Sequence, residues 1–318
     1  MKLGVSACLI GKMCRYDGGH AKDRFVLDVL NNYFEMVAYC PEDKLFGSPR
    51  ETIHLETKND KTIAITSQTH KDITQELKAV SKTYTNHMDN ENLCGFILKS
   101  KSPSCGLERV KVYEENSKFS QKKGIGIFAK QIQKRFPYLP IEEEGRLNDD
   151  WIRENFFMQV FAYEDLHIFL ENSPSQKTLV QFHTQYKYLI YSKSTSDYKA
   201  LGNIVANREK KPFCMVIKNY KEGFLKAICK KSTIKKTYNV LQHIAGYFKK
   251  EITKEEKTHL HEALKEFKKE LIPLIVVIKL IEIYTIRFKI DYLKKQKFLN
   301  PYPKALALRS SIKANKGI

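Results

Sequence analysis

Short apolar runs recur through the first half of the chain, separated by helical periodicity or by polar loops. Leu3 to Val5, Met36 to Ala38 and Phe96 to Leu98 read as strands near 2–6, 35–39 and 95–99, and Val110 to Tyr113 reads as another. Phe25, Val26, Val29 and Leu30 share one face of a helix expected around 22–33. Further helices are expected near 70–88 and 124–135, the second entered through Gly124-Ile125-Gly126 and ending at Pro137. A long loop carries Gly47, Ser48 and Pro49. Strand and helix in alternation predict a parallel or mostly parallel sheet covered by helices.

From about Asn148 the strand pattern fades. Asn148-Asp149-Asp150 suits a helix start, with acidic residues at the positive end of the helix dipole. That helix is expected to reach about Leu170, and Glu171-Asn172-Ser173-Pro174-Ser175 reads as a linker. Helical periods dominate afterwards. Thr253 and Glu256 have capping-box spacing ahead of a helix whose face carries Leu260, Leu264, Phe267 and Leu271. The expected organisation is an α/β N-terminal domain with a mostly parallel sheet over 1–147, a helical connector and linker over 148–175, and an all-α C-terminal domain over 176–318.

Charge separates these parts. Residues 1–180 hold 25 Lys and Arg against 25 Asp and Glu, whereas residues 181–318 hold 30 against 11, so all of the net +19 belongs to the second part. A basic module beside a neutral one suits a polyanion, nucleic acid above all, or else a solvated lysine-rich surface. Through 182–200 lysines interleave with Phe182, His183, Tyr186, Tyr188, Tyr191 and Tyr198, which either stack on unpaired bases or pack a helical core. Lys187, Lys193, Lys199, Lys235 and Lys236 are the candidate RNA contacts. The longest apolar run, Leu271 to Ile286, is interrupted by Pro273, Lys279 and Glu282 and is too short for a membrane span. With no secretory signal pattern at the start, a cytoplasmic protein without a membrane partner is expected.

Seven cysteines without any C-x-x-C argue against a disulfide framework or a zinc ribbon. Cys8, Cys40 and Cys105 each follow a predicted strand, and parallel strands deliver their ends to one sheet edge. Three thiols meeting there would make a soft-metal or iron–sulfur site with one vacant position. Glu42 and Ser102 lie close to two of these cysteines and could hold water or relay a proton. Arg15, Asp17 and Arg50 flank the same loops, where they either anchor substrate or pair with one another. Cys14 is either a fourth ligand that closes the site or a bystander thiol. Cys94, Cys214 and Cys229 read as structural.

These residues also carry a resemblance. Ser6-Ala7-Cys8-Leu9-Ile10-Gly11 with Arg15-Tyr16-Asp17-Gly18-Gly19, Cys40-Pro41-Glu42 with Gly47-Ser48-Pro49-Arg50, and Leu98 through Ser102-Pro103-Ser104-Cys105-Gly106 resemble the TudS/RudS thiouracil and tRNA 4-thiouridine desulfidase family. Leu139 to Leu147, Phe182-His183 with Tyr186-Lys187-Tyr188-Leu189, and Tyr198 with Leu201-Gly202 resemble its longer form, in which the desulfidase domain is fused to a YbgA-like helical domain. The resemblance implies a 4Fe–4S cluster on Cys8, Cys40 and Cys105 with one open iron that takes the thiocarbonyl sulfur. It implies catalytic roles for Glu42 as acid/base and Ser102 as an orienting group. Arg15, Asp17, Arg50 and Ser104, beside the same loops, are the substrate-binding candidates. The resemblance implies removal of sulfur from 4-thiouridine in tRNA, leaving uridine; water adding to the ring carbon would then release the sulfur as hydrosulfide without net electron transfer. The alternatives are a desulfidase for free thiouracil and a non-catalytic RNA-binding protein with a structural cluster.

Overall fold

The computed structural model describes residues 1–306 apart from 116 and 118. The chain divides into two compact units, Met1–Ile152 and the residues from Arg153 onward. The first contains strands β1 (Lys2–Ser6), β2 (Glu35–Tyr39), β3 (Ile53–Lys58), β4 (Lys61–Thr66), β5 (Leu93–Leu98), β6 (Val110–Glu114), β7 (Ser120–Gly124) and β8 (Ile141–Glu143). Its helices are α1 (Pro41–Phe46), α2 (Thr74–Met88) and α3 (Ile127–Arg135).

Four strands form the expected parallel sheet, in the order β2-β1-β5-β8. Its centre is apolar on both faces, as a helix-covered parallel sheet requires: Leu3, Val5, Phe96, Ile97 and Leu98 are fully buried. Tyr39, Phe96 and Phe128 form a ring cluster that ties β2 and β5 to α3, with centroids 5.5–6.2 Å apart. The other four strands form a second, mixed sheet, β4-β3-β6-β7, of which the apolar pattern announced β6 alone. Its inner face, Ile53, Leu55, Ala64, Val110 and Val112, packs with Ile73 and Leu77. The helix expected around 22–33 is instead a wide π-type turn over Phe25–Val29 followed by a tight turn over Leu30–Asn32, which still buries Val26 and Leu30.

The second unit is helical, as expected: α4 (Asp150–Glu171, beginning in the first unit), α5 (Gln176–Lys193), α6 (Thr195–Ala206), α7 (Phe213–Ile228), α8 (Ile234–Ala245), α9 (Lys254–Lys268), α10 (Leu274–Arg287) and α11 (Asp291–Lys294). The Asp149 carboxylate accepts the Trp151 and Ile152 amides at 2.9 Å and so starts α4. Thr253 and Glu256 make the capping box of α9, at 3.1 and 2.8 Å. Leu260, Leu264 and Phe267 are buried, but α9 ends at Lys268 and Leu271 lies 69% exposed. Among the described residues no helix is long and apolar enough to cross a membrane.

Candidate functional site

Three adjacent strand ends build the site. After β1 the chain winds into a tight turn, Ala7–Ile10, that buries Cys8, and Gly11 closes it at φ 89°. After β2, Cys40 occupies the N-cap of α1, its sulfur accepting the Asp43 amide at 3.4 Å, and Pro41 takes the first helical turn, where a missing N–H is harmless. After β5, residues 99–106 fold over the sheet edge and carry Cys105. Cys8, Cys40 and Cys105 line one cavity of about 240 Å³, and Cys14 lines it with them.

Burial and mutual contact raise Cys14, Cys40 and Cys105 above the ordinary thiol value and favour their protonated forms. Burial pushes Cys105 up to about 12. The hydrogen bond from Cys14, then burial, raises Cys40. A hydrogen bond with Cys40 lowers Cys14, but one with Cys8, together with burial, takes it up to about 11. A metal binding here would have to displace those protons.

Glu42 stands at the same cavity with both carboxylate oxygens engaged. Ser102 donates to Oε1 at 3.2 Å and Ser104 donates to the same oxygen. Arg50 donates to Oε2 at 3.0 Å, and its other nitrogen donates to the carbonyls of Cys14 (3.0 Å) and Gly47 (2.9 Å). Ser102 also shapes the loop, accepting the Cys105 amide at 3.1 Å through Oγ and the Gly106 amide at 2.8 Å through its carbonyl. Arg15 and Arg50 line the cavity, while Asp17 is not part of its wall. Asp17 instead pairs with Arg15 at 3.3 Å and accepts the Gly19 amide at 3.1 Å. Arg15 thus pairs with Asp17, Arg50 pairs with Glu42 rather than with either of them, and both arginines line the cavity.

Two carboxylates that the sequence reasoning missed hold the loop that carries Cys105. β8 ends in Glu143 and continues into Glu144, both buried. Glu144 pairs with Lys99 and accepts the Ser100 amide at 2.7 Å and hydroxyl at 2.8 Å. Glu143 accepts the Leu107 amide at 2.7 Å and the Glu108 amide at 3.3 Å. Adjacent residues of one strand thus grip both ends of the loop. The start of α3 supports its middle: the Ile127 and Phe128 amides donate to the carbonyls of Pro103 (3.2 Å) and Ser104 (2.9 Å). Gly126 permits this approach, since a Cβ there would fall 2.4 Å from the Ser104 carbonyl oxygen.

The lysines proposed for RNA fare unequally. Lys199 and Lys235 are exposed. Lys187 lies over the Tyr188 and Tyr292 rings at 5.0 Å, and Lys236 donates to the Lys193 carbonyl at 2.8 Å. Lys193 is a correction: it is 1% exposed and donates to Asn155 Oδ1 at 2.6 Å, so it does not reach a surface phosphate, and burial brings its amine down to about 7. The interleaved Phe182, Tyr186 and Tyr188 are core residues, Phe182 meeting the Phe224 ring tilted and Tyr186 meeting it edge to face. Cys94 is buried, Cys214 exposed, and Cys229 accepts from Gln159 at 3.3 Å.

An α/β domain with a thiol-lined pocket at the carboxyl edge of its parallel sheet, followed by a helical domain, is the class this fold and site define. The family model of 2-thiouracil desulfurase matches residues 3–144, and that of a protein of unknown function, DUF1722, matches residues 187–303. The chain belongs to the 2-thiouracil desulfurase family and carries a YbgA-like DUF1722 domain after the desulfurase domain. Among curated relatives, the uncharacterized protein YbbK of Bacillus subtilis is 32% identical over 154 residues, covering 46% of this chain and 97% of that protein. The uncharacterized protein YbgA of Escherichia coli is 23% identical over 159 residues, covering 50% of this chain and 94% of that protein. A solved structure described as the [4Fe-4S]-dependent thiouracil desulfidase TudS aligns with a TM-score of 0.38 at 24% identity, over 46% of this chain and 93% of that one.

Proposed function

We propose that this chain is a desulfidase that replaces the sulfur of a thiolated uracil base with oxygen, that it works with a [4Fe-4S] cluster on Cys8, Cys40 and Cys105, and that its substrate is 4-thiouridine in tRNA. The observation that carries the reading is Glu42, fixed by two serines and an arginine at the wall of a cavity lined by those three thiols. The donor set fits the group: thiolates are what hold such clusters.

Bound there, a cluster with one iron free of protein ligands supplies Lewis acidity toward the thiocarbonyl sulfur. The chain's own residues handle water and protons. Glu42 takes a proton from the water that adds to the ring carbon bearing sulfur, then returns it as the sulfur leaves as hydrosulfide. Ser102 and Ser104 hold Oε1 and Arg50 holds Oε2, so the carboxylate keeps one orientation. Water supplies the oxygen and no electron is transferred. The basic second unit grips the RNA backbone, with Lys199 and Lys235 as its exposed candidates among those named above.

Free thiouracil is the second reading, favoured by the family's description and by a cavity no larger than about 240 Å³. Anaerobic purification with iron and sulfide analysis, followed by incubation with 4-thiouridine-containing tRNA or free 4-thiouracil, separates them. Loss of thiouridine absorbance with preference for tRNA is expected. Preference for the free base sinks the tRNA assignment, and no turnover of either sinks the enzyme.

A further inference from the structure

A second depression opens beside the thiol cavity. Its volume is about 700 Å³, and the two share Ile53, Ser100, Lys101 and Pro103. Ile53, Leu55 and Val110, which belong to the core cluster of the second sheet, line it together with His54 on β3 and Lys111 and Tyr113 on β6. The His54 and Tyr113 rings meet edge to face at 5.4 Å. β7 adds Lys122, placed directly opposite Lys111 in the ladder.

Like charges directly opposite on a sheet oppose its pairing. Lys111 and Lys122 are both exposed, and among the described residues neither they nor Lys101 have an ion-pair partner. The acidic groups of the depression are already engaged: Glu108 by Arg109 at 2.8 Å and by Arg146, Glu143 by two loop amides. Five Lys and Arg stand against two Glu in its lining, so its balance is positive. It is a local concentration, since the first 180 residues balance to zero. Lys101 and Arg109 also hold left-handed backbone, at φ 62° and 55°, a conformation that favours glycine and that gathers at ligand sites when other residues keep it.

We propose that this depression is a polynucleotide-backbone subsite. Lys101, Lys111 and Lys122 contact phosphates flanking the nucleotide whose base enters the thiol cavity, and the His54–Tyr113 pair stacks on a neighbouring base. The proposal rests on the RNA reading above and deepens it: a free base carries no phosphate and leaves the subsite idle.

Fluorescence anisotropy of labelled oligouridine with the full chain, across a salt series, tests it on wild type, Lys111→Ala/Lys122→Ala and Lys111→Arg/Lys122→Arg. The alanine pair is expected to bind about tenfold more weakly at low salt, with a log–log salt slope shallower by about 1.4, since each phosphate contact on a single strand contributes about 0.7. The arginine pair is expected to keep affinity and slope. Unchanged binding and slope in the alanine pair overturns the proposal, and so does an equal loss in both variants. Titration of inorganic phosphate is the second arm: loss of phosphate binding with oligouridine unchanged assigns the depression to a free anion and also overturns it. None of these readouts needs turnover. If only free thiouracil is desulfurised, the tRNA assignment falls while binding still decides the subsite; if thiolated tRNA is turned over and the slope does not move, the subsite alone falls.

Discussion

The two units bury polar groups to opposite ends. In the first, Glu42, Glu143, Glu144 and Arg50 all engage the thiol cavity or the loop that forms it. In the second, His183, Tyr186 and Lys193 are enclosed, His183 meeting Tyr220 at 3.2 Å and Lys193 meeting Asn155 at 2.6 Å. Similar burial therefore has different meanings. Around an opening it fixes the orientation of groups that face a cavity; within an aromatic core it satisfies side chains whose charge the interior suppresses.

The contrast breaks most sharply at Glu42. Glu42→Gln should cut turnover by about 100-fold or more while iron and sulfide content stay at wild-type levels. Near-normal turnover would remove the carboxylate from the chemistry. Glu144→Ala tests whether the clamp matters to the loop. It strands Lys99 and two loop donors, so the first unit should lose about 3 kcal/mol in urea unfolding, with reduced iron content after reconstitution. A loss confined to the second unit's transition would contradict it.

The second unit should answer to pH instead. Burial, then Lys187, lowers His183 from its usual 6.5 to about 4. Between those values the unfolded chain binds the proton and the folded chain does not. The contribution is therefore complete above pH 6.5 and is lost as pH falls toward 4, by at most about 3 kcal/mol. Urea midpoints across that range should show the decline, and His183→Phe should flatten it. The smallest effect is expected from Cys14→Ser. If three cysteines suffice, this variant keeps its iron content, whereas Cys105→Ser loses it; equal loss from both would make Cys14 a ligand.

The sequence exposed the parts of the site that follow apolar strands. β1, β2 and β5 were legible because their cores are continuous apolar runs, and with them the convergence of Cys8, Cys40 and Cys105. The β3–β4 hairpin was readable but missed: two alternating runs flank Asn59-Asp60, and both of these residues take positive φ, at 48° and 58°. β7, Ser-Gln-Lys-Lys-Gly, has no apolar residue to announce it. β8 looks like solvent-facing acid, because only the fold shows that its glutamates have amides to bind. Lys193 misled for the mirror-image reason: lysine is seldom buried, so its type spoke for the surface.

The grip of Glu143 and Glu144 has an evolutionary corollary. Consecutive strand residues face opposite ways, so deleting or inserting one position in β8 would exchange the sides on which they act. Homologues should then tolerate length changes in distant turns far more readily than a single-residue indel between 141 and 144. The spacing of that short acidic stretch is as much a part of the thiol arrangement as the cysteines themselves.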